Sequence, residues 1–324
     1  MLTAQDIHGL YAIIPTPAKS GAERFDATDT VDVDETVRLI DALIRDGATG
    51  IIVLGTTGEC ATLSSTDYRT FVGAVLETVG RRIPTFVGTS ALGAHEVAVR
   101  MRMVRDMGAD GTLLGLPMWQ PCTTEMAVEF YRAASEFAPD LAIMVYPNAR
   151  AFRYAFPVEF WAAVALAAPT VVACKSSRPT DLNTLIEVTK RRINFMPIDM
   201  QVQHFHQIAP MTTTACWATA AAMGPAPSLA VMDAVARGDG AATTKAAGDI
   251  AWANEPIVPL LQDPEVFARY NIQVEKYRIE AAGYCCPGPV RAPYHLVPRE
   301  IVDASRECGR RWAQLCRQLE VAAA

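Results

Sequence analysis

Val171-Val172-Ala173-Cys174-Lys175 (VVACK, residues 171–175) is a continuous apolar run that closes on one lysine. A short run without polar alternation suits a strand buried on both faces, the condition of strands in a parallel sheet. Seven further runs of this kind recur along the chain: Tyr11–Pro15, Gly50–Leu54, Thr85–Gly88, Gly111–Leu114, Ala142–Tyr146, Asn194–Ile198 and Thr213–Trp217. The stretches between them read as helices. Asp34–Asp46 places Val37, Ile40, Leu43 and Ile44 on one face and stops at Gly47. Thr66–Val79, Ala94–Met107 and Thr124–Phe137 follow the same period, the last opening on Thr123, Thr124 and Glu125 as an N-cap region.

Eight strand–helix units in about 235 residues match a (β/α)8 barrel, a TIM barrel, in the α/β class. A doubly wound sheet is the rival, but it calls for a glycine-rich first turn, and no GxGxxG follows the first strand. From Asp239 the strand rhythm stops. Ala241–Leu261, Glu265–Gly283 and Arg299–Leu319 read as helices, broken by Cys285–Pro289. The expected organisation is therefore a catalytic barrel over 1–238 and a C-terminal helical extension over 239–324, packed on the barrel or carrying a partner contact.

Composition narrows the function classes. Of the 324 residues 51% are apolar and 20% charged, enough for a sizeable core. Net charge is −6, and no Lys/Arg run suggests a nucleic-acid face. The N-terminus, MLTAQDIHGLYAIIPTP, lacks the basic and apolar regions of a signal peptide. The apolar stretch Phe160–Cys174 contains Pro169 and is too short to span a membrane. Eight cysteines without a CxxC pair point to reduced thiols in a cytoplasm. His8, His95, His204, His206 and His295 form no ligand set, so no metal site is expected.

Barrel chemistry sits at the C-terminal ends of the strands and in the loops that follow. This selects Gly55-Thr56-Thr57-Gly58-Glu59, Tyr146-Pro147-Asn148, Lys175-Ser176-Ser177 and Cys216-Trp217. A lysine in an enclosed apolar mouth loses part of its proton affinity and becomes a nucleophilic amine. By itself Lys175 reads first as a strand-end lysine reaching for solvent. The GTTGE loop offers hydroxyls and backbone N–H groups that suit a carboxylate or phosphate, or it is an ordinary turn with Glu59 structural. Tyr146 is a proton relay or a core tyrosine.

Taken together, GTTGE after the second strand, a tyrosine ending the fifth and a lysine ending the sixth resemble the dihydrodipicolinate synthase/N-acetylneuraminate lyase superfamily. The similarity runs over nearly the whole chain, including Gly288-Pro289-Val290-Arg291. Residues 27–36, 58–63, 109–119, 214–218 and 224–227 are most similar to the hydratase-aldolases of aromatic degradation, which cleave arylidene pyruvates to pyruvate and an aromatic aldehyde. Thr57, where that subgroup commonly has Phe, and the order Tyr146-Pro147-Asn148 depart from the pattern.

The resemblance implies Lys175 as the Schiff-base lysine, Tyr146 as the proton relay, and Thr56 and Thr57, flanked by Gly55 and Gly58, for the pyruvyl carboxylate. It adds Asn148 as a substrate contact and Trp217, Trp119 and Phe152, with Met118 beside them, as surfaces for an aryl group. Arg150 and Arg153 are candidates for a ring carboxylate. The resemblance further implies no cofactor beyond the covalent imine, a small oxo-acid as the partner, and a homotetramer. Two alternatives stand beside the hydratase-aldolase reading. One is another pyruvate-dependent class I aldolase, either a dihydrodipicolinate-type synthase or a sugar-acid lyase. The other is a non-catalytic oxo-acid-binding barrel.

Overall fold

The computed structural model describes residues 1–178 and 180–323. In chain order the strands are β1 (Gly9–Ile13), β2 (Gly50–Val53), β3 (Thr85–Gly88), β4 (Gly111–Leu114), β5 (Ala142–Val145), β6 (Val171–Lys175), β7 (Asn194–Met196) and β8 (Ala215–Ala218). Helices α1 (Val33–Arg45), α2 (Ser65–Val79), α3 (Ala94–Asp106) and α4 (Thr124–Phe137) follow the first four strands in turn. Then α5 (Ala149–Phe152) and α6 (Val158–Ala167) follow β5, α7 (Leu182–Val188) follows β6, α8 (Val202–Ile208) follows β7, and α9 (Ala226–Ala236) follows β8. The chain ends in α10 (Gly240–Asn254), α11 (Val258–Gln262), α12 (Pro264–Ala282) and α13 (Arg299–Ala323).

This is the predicted alternation, and every residue of β2 to β8 is buried. The differences have local causes. β1 stops at Ile13 and β7 at Met196, short of Pro15 and Pro197, which have no N–H to give a neighbouring strand. α6 carries no helical period in its sequence, because VEFWAAVALA is apolar nearly all round.

The chain forms two compact units, residues 1–9 with 84–217 and residues 10–83 with 218–324. In the first, β3 to β7 pair in parallel, each with the next. Behind them Tyr131, Tyr154, Phe156, Phe160, Trp161 and Phe195 meet edge to face, with ring centroids 5.0–5.7 Å apart. The Tyr131 hydroxyl donates to the Leu114 carbonyl at 2.8 Å, so the ring buries no unmatched polar atom. The side chain of Thr123 accepts from Met126 N at 3.2 Å, the cap expected for α4.

In the second unit β1 and β2 pair in parallel, with Tyr11 opposite Gly50. Any side chain at Gly50 would collide with the Tyr11 ring. α1 is capped by Asp32, which accepts from Glu35 N at 3.0 Å. Its buried stripe is Thr36, Leu39, Ile40 and Leu43. Val37 and Ile44 are only half-buried, so the core face is turned slightly from the one the periodicity picked out. α12 packs on α13 through Val274, Ile301 and Cys308, with Ile257 beside them. Trp312 is fully buried and donates from Nε1 to the Gly224 carbonyl at 2.9 Å.

Candidate active site

Lys175 is the last residue of β6, opposite Met196 of β7, and its side chain is 9% exposed. Its relation to β5 depends on a bulge. Ile143 pairs with Val171, but Met144 pairs with Ala173 and Val145 with Cys174, so Val172 is the extra residue. Continued one step, the shifted register sets Tyr146 beside Lys175 on one face. Without the bulge Tyr146 would stand beside Cys174, and Lys175 would face the other side. The geometry agrees: Lys175 Nζ lies over the Tyr146 ring, 4.8 Å from its centroid.

Trp217 completes the group. Lys175 Nζ sits 3.4 Å from the centroid of an indole that is only 5% exposed. The indole is held from two sides. Its Nε1 donates to the Ser176 carbonyl at 2.7 Å, and its backbone N–H donates to the Pro197 carbonyl at 2.9 Å. Phe152, on α5, packs edge to face on Tyr146 at 5.4 Å. Its ring fills the space beside Gly115, where any Cβ would strike it. Asn148 caps α5 by accepting from Ala151 N at 3.2 Å and donates from Nδ2 to the Tyr146 phenol oxygen at 3.2 Å. That bond uses the oxygen as acceptor and leaves the phenol proton for another acceptor. The structure thus brings Lys175, Tyr146, Asn148, Phe152 and Trp217 together.

Trp119 is placed differently, in the loop after β4 and 74% exposed, its carbonyl accepting from Arg153 Nη1 at 3.4 Å. Met118 beside it is half-buried. Arg150 lies within electrostatic reach of Arg178 and of Tyr146. Burial and then the Arg178 charge pull its guanidinium below the usual arginine range.

Gly55, Thr56, Thr57, Gly58 and Glu59 belong to the second unit. Their loop is a tight turn with Leu54 and Glu59 in the left-handed region, at φ 60° and 55°. A Cβ at Gly58 would lie 2.7 Å from Leu54 N, so only glycine closes this turn. Thr16 Oγ1 donates to the Gly58 carbonyl at 2.7 Å. Glu59 is structural, as one reading of the sequence had it. Its carboxylate accepts from Arg291 N at 2.9 Å, Arg291 Nη1 at 2.6 Å and Lys276 Nζ at 2.8 Å, all of them buried. Burial pulls the Lys276 ammonium below the usual lysine range, against the Glu59 charge. This clamp is not legible in the sequence. A lysine in a long helix reads as a solvated residue, and only the Gly288–Arg291 stretch gave a signal. Among the described residues no three His, Cys, Asp or Glu side chains gather as a metal site would need. Among them, too, no helix is long and apolar enough to cross a membrane.

Comparison with known proteins adds an independent line. The model of the dihydrodipicolinate synthetase family matches residues 21–303. The trans-O-hydroxybenzylidenepyruvate hydratase-aldolase of Pseudomonas aeruginosa is 38% identical, over 97% of this chain and 94% of its own. The trans-2'-carboxybenzalpyruvate hydratase-aldolase of Nocardioides sp. (strain KP7) is 36% identical, over 96% and 95%. The solved structure of PhdJ bound to a substrate intermediate superposes with a TM-score of 0.94 at 32% identity, covering 98% of both chains. The fold is thereby a (β/α)8 TIM barrel with added C-terminal helices. By contrast, the 4-hydroxy-tetrahydrodipicolinate synthase of Synechococcus sp. (strain WH7803) matches at 35% over only 38% of this chain.

Proposed function

The chain belongs to the dihydrodipicolinate synthetase family and is a carbon–carbon lyase of the class I aldolase group, and on that premise we propose that it hydrates and cleaves an arylidene pyruvate through an imine at Lys175. The observation that carries the reading is Lys175 Nζ, nearly buried at a strand end between the Tyr146 and Trp217 rings. The near-complete match to two hydratase-aldolases supports the substrate class.

The neutral Lys175 amine attacks C2 of the oxo-acid, and loss of water leaves an iminium. The iminium draws electrons from the conjugated double bond. Water then adds its oxygen to the carbon bearing the ring and a proton to C3. The new hydroxyl loses its proton, the bond between that carbon and C3 breaks, and the electron pair moves into the iminium as an enamine. The aldehyde departs. Protonation at C3 and hydrolysis of the imine release pyruvate and the free lysine. One water is consumed overall. Tyr146, whose phenol oxygen accepts from Asn148 Nδ2, is assigned the proton transfers. Thr56 and Thr57, with the N–H groups of Gly55 and Gly58, are assigned the carboxylate on the sequence pattern. Trp119 and Phe152 are assigned the aryl side.

The same reading places the chemistry in residues 1–238, with 239–324 as an extension. It also takes the enzyme as a homotetramer in aromatic catabolism, working without an added cofactor in a reducing cytoplasm. The test is turnover on a panel of benzylidenepyruvates, with sugar acids and aspartate semialdehyde as competitors. Aromatic aldehyde release supports the proposal. Activity only on a sugar acid or the semialdehyde would make the protein another aldolase of the family, and no turnover at all would leave it an oxo-acid-binding barrel.

A further inference from the structure

The face of Trp217, a candidate wall for an aryl group, lies against the Lys175 nitrogen. Lys175 Nζ lies 3.4 Å from the indole centroid, closer than to the Tyr146 ring at 4.8 Å. The indole is tied at its edge, its Nε1 donating to the carbonyl of Ser176, the residue after Lys175. The residue next to the one that carries the nitrogen therefore also holds the ring that covers it. An indole face attracts a cation and gives a neutral amine or imine little, and the attraction strengthens when both are desolvated. Both conditions hold here, with Lys175 9% and Trp217 5% exposed.

Resting on the Schiff-base reading above, we propose that Trp217 is the electrostatic partner of the reacting nitrogen: its indole face favours the protonated iminium at Lys175 over the neutral imine. Hydration and carbon–carbon cleavage both proceed from the iminium, because only the cation withdraws the electron pair. The nitrogen remains bonded to Lys175 Cε throughout, so the ring that covers it before the reaction stands over the iminium as well. This makes Trp217 a determinant of the chemical step rather than of the ring substituent.

Pyruvate separates the two roles because it has no aryl group. In D2O its C3 protons exchange only if the iminium forms, loses a C3 proton to give the enamine, and takes up a deuteron there. The exchange is followed by NMR across a pH series in the wild type, Trp217→Phe and Trp217→Leu. Borohydride trapping of pyruvate on the wild type runs alongside. The expected result is at least a ten-fold loss of exchange in Trp217→Leu, about 1.4 kcal/mol, with the alkaline limb moved to lower pH. Trp217→Phe, which keeps a π face but loses the Nε1 bond to Ser176, should fall between the wild type and Trp217→Leu.

To avoid dependence on a variant that fails to fold, the five tryptophans can be replaced by fluorinated analogues, which weaken the π face without changing its shape. Exchange should then fall with each added fluorine, but not in Trp217→Phe protein carrying the same analogues. Unchanged exchange in Trp217→Leu with lost arylidene cleavage would overturn the inference and restore the aryl wall. A flat response to fluorination would overturn it too. A wild type that yields no pyruvate adduct on Lys175 would remove the Schiff-base reading itself, and the inference with it.

Discussion

Replacing Glu59 by Gln keeps the shape of the side chain and removes the charge that Arg291 and Lys276 share. Both cations are nearly out of solvent, at 3% and 2% exposure. Arg291 keeps Thr16 O, Thr30 O and Thr30 Oγ1 as acceptors, and Lys276 keeps the Pro289 carbonyl. These bonds satisfy donors but do not balance two positive charges. Removing one partner of a buried ion pair costs about 3–5 kcal/mol. Lys276 offers partial relief, because burial already favours its neutral form. The expected loss is therefore near the lower end, about 3 kcal/mol, or a fall of about 4 °C in melting temperature.

The sign of the pH dependence follows. In Glu59→Gln the unfolded chain, with a lysine pKa of about 10.4, binds the Lys276 proton more tightly than the folded protein does, so stability rises as pH climbs through the lowered folded value towards the unfolded one. Lys276→Met, which leaves the Arg291–Glu59 pair intact, should cost less than Glu59→Gln. Urea unfolding at pH 7 and 9 checks all three statements. A Glu59→Gln protein within about 1 kcal/mol of wild type, with no gain at pH 9, would refute the account of this cluster, since a buried unpaired charge costs more than that.

Lys175→Ala should abolish the borohydride-dependent pyruvate adduct, read by intact mass, while circular dichroism stays that of the wild type. Gly115→Ala drives a methyl into the Phe152 ring; overpacking of this kind costs about 1–3 kcal/mol, and displacement of the ring under Tyr146 should lower kcat. Burial pushes the Glu35 carboxyl up, but the Arg38 guanidinium and Cys286 N–H more than offset it, so its pKa lies below the usual range. Its contribution is present above the unfolded value, about 4.3, and is lost as pH falls through the lower folded value. Glu35→Gln should therefore flatten the acid limb of a stability–pH profile. Among the eight free cysteines Cys286 is exposed, whereas burial pushes up the thiols of Cys174, Cys216 and Cys285 and takes that of Cys316 up to about 12. Iodoacetamide at pH 8, followed by peptide mapping, should modify Cys286 first and Cys174 and Cys216 only on unfolding.

The eight apolar runs determined the strands because a segment buried on both faces must be apolar throughout, and that condition is visible in one dimension. β3, β4 and β6 fall on the predicted residues. The same pattern put Lys175, Tyr146 and the Gly55–Glu59 loop at strand ends, which is where barrel chemistry lies. Three matters were left to tertiary structure. The extra residue Val172 in the β5–β6 ladder sets Tyr146 beside Lys175, and register is a property of two strands together. The clamp on Glu59 joins residues more than 200 positions apart, and charges in a sequence carry no label of burial. Trp217 was legible as an aromatic at a strand end, but the sequence could not say what its face would touch. Its neighbour is the lysine nitrogen, because the Nε1 bond to the Ser176 carbonyl fixes the plane of the ring.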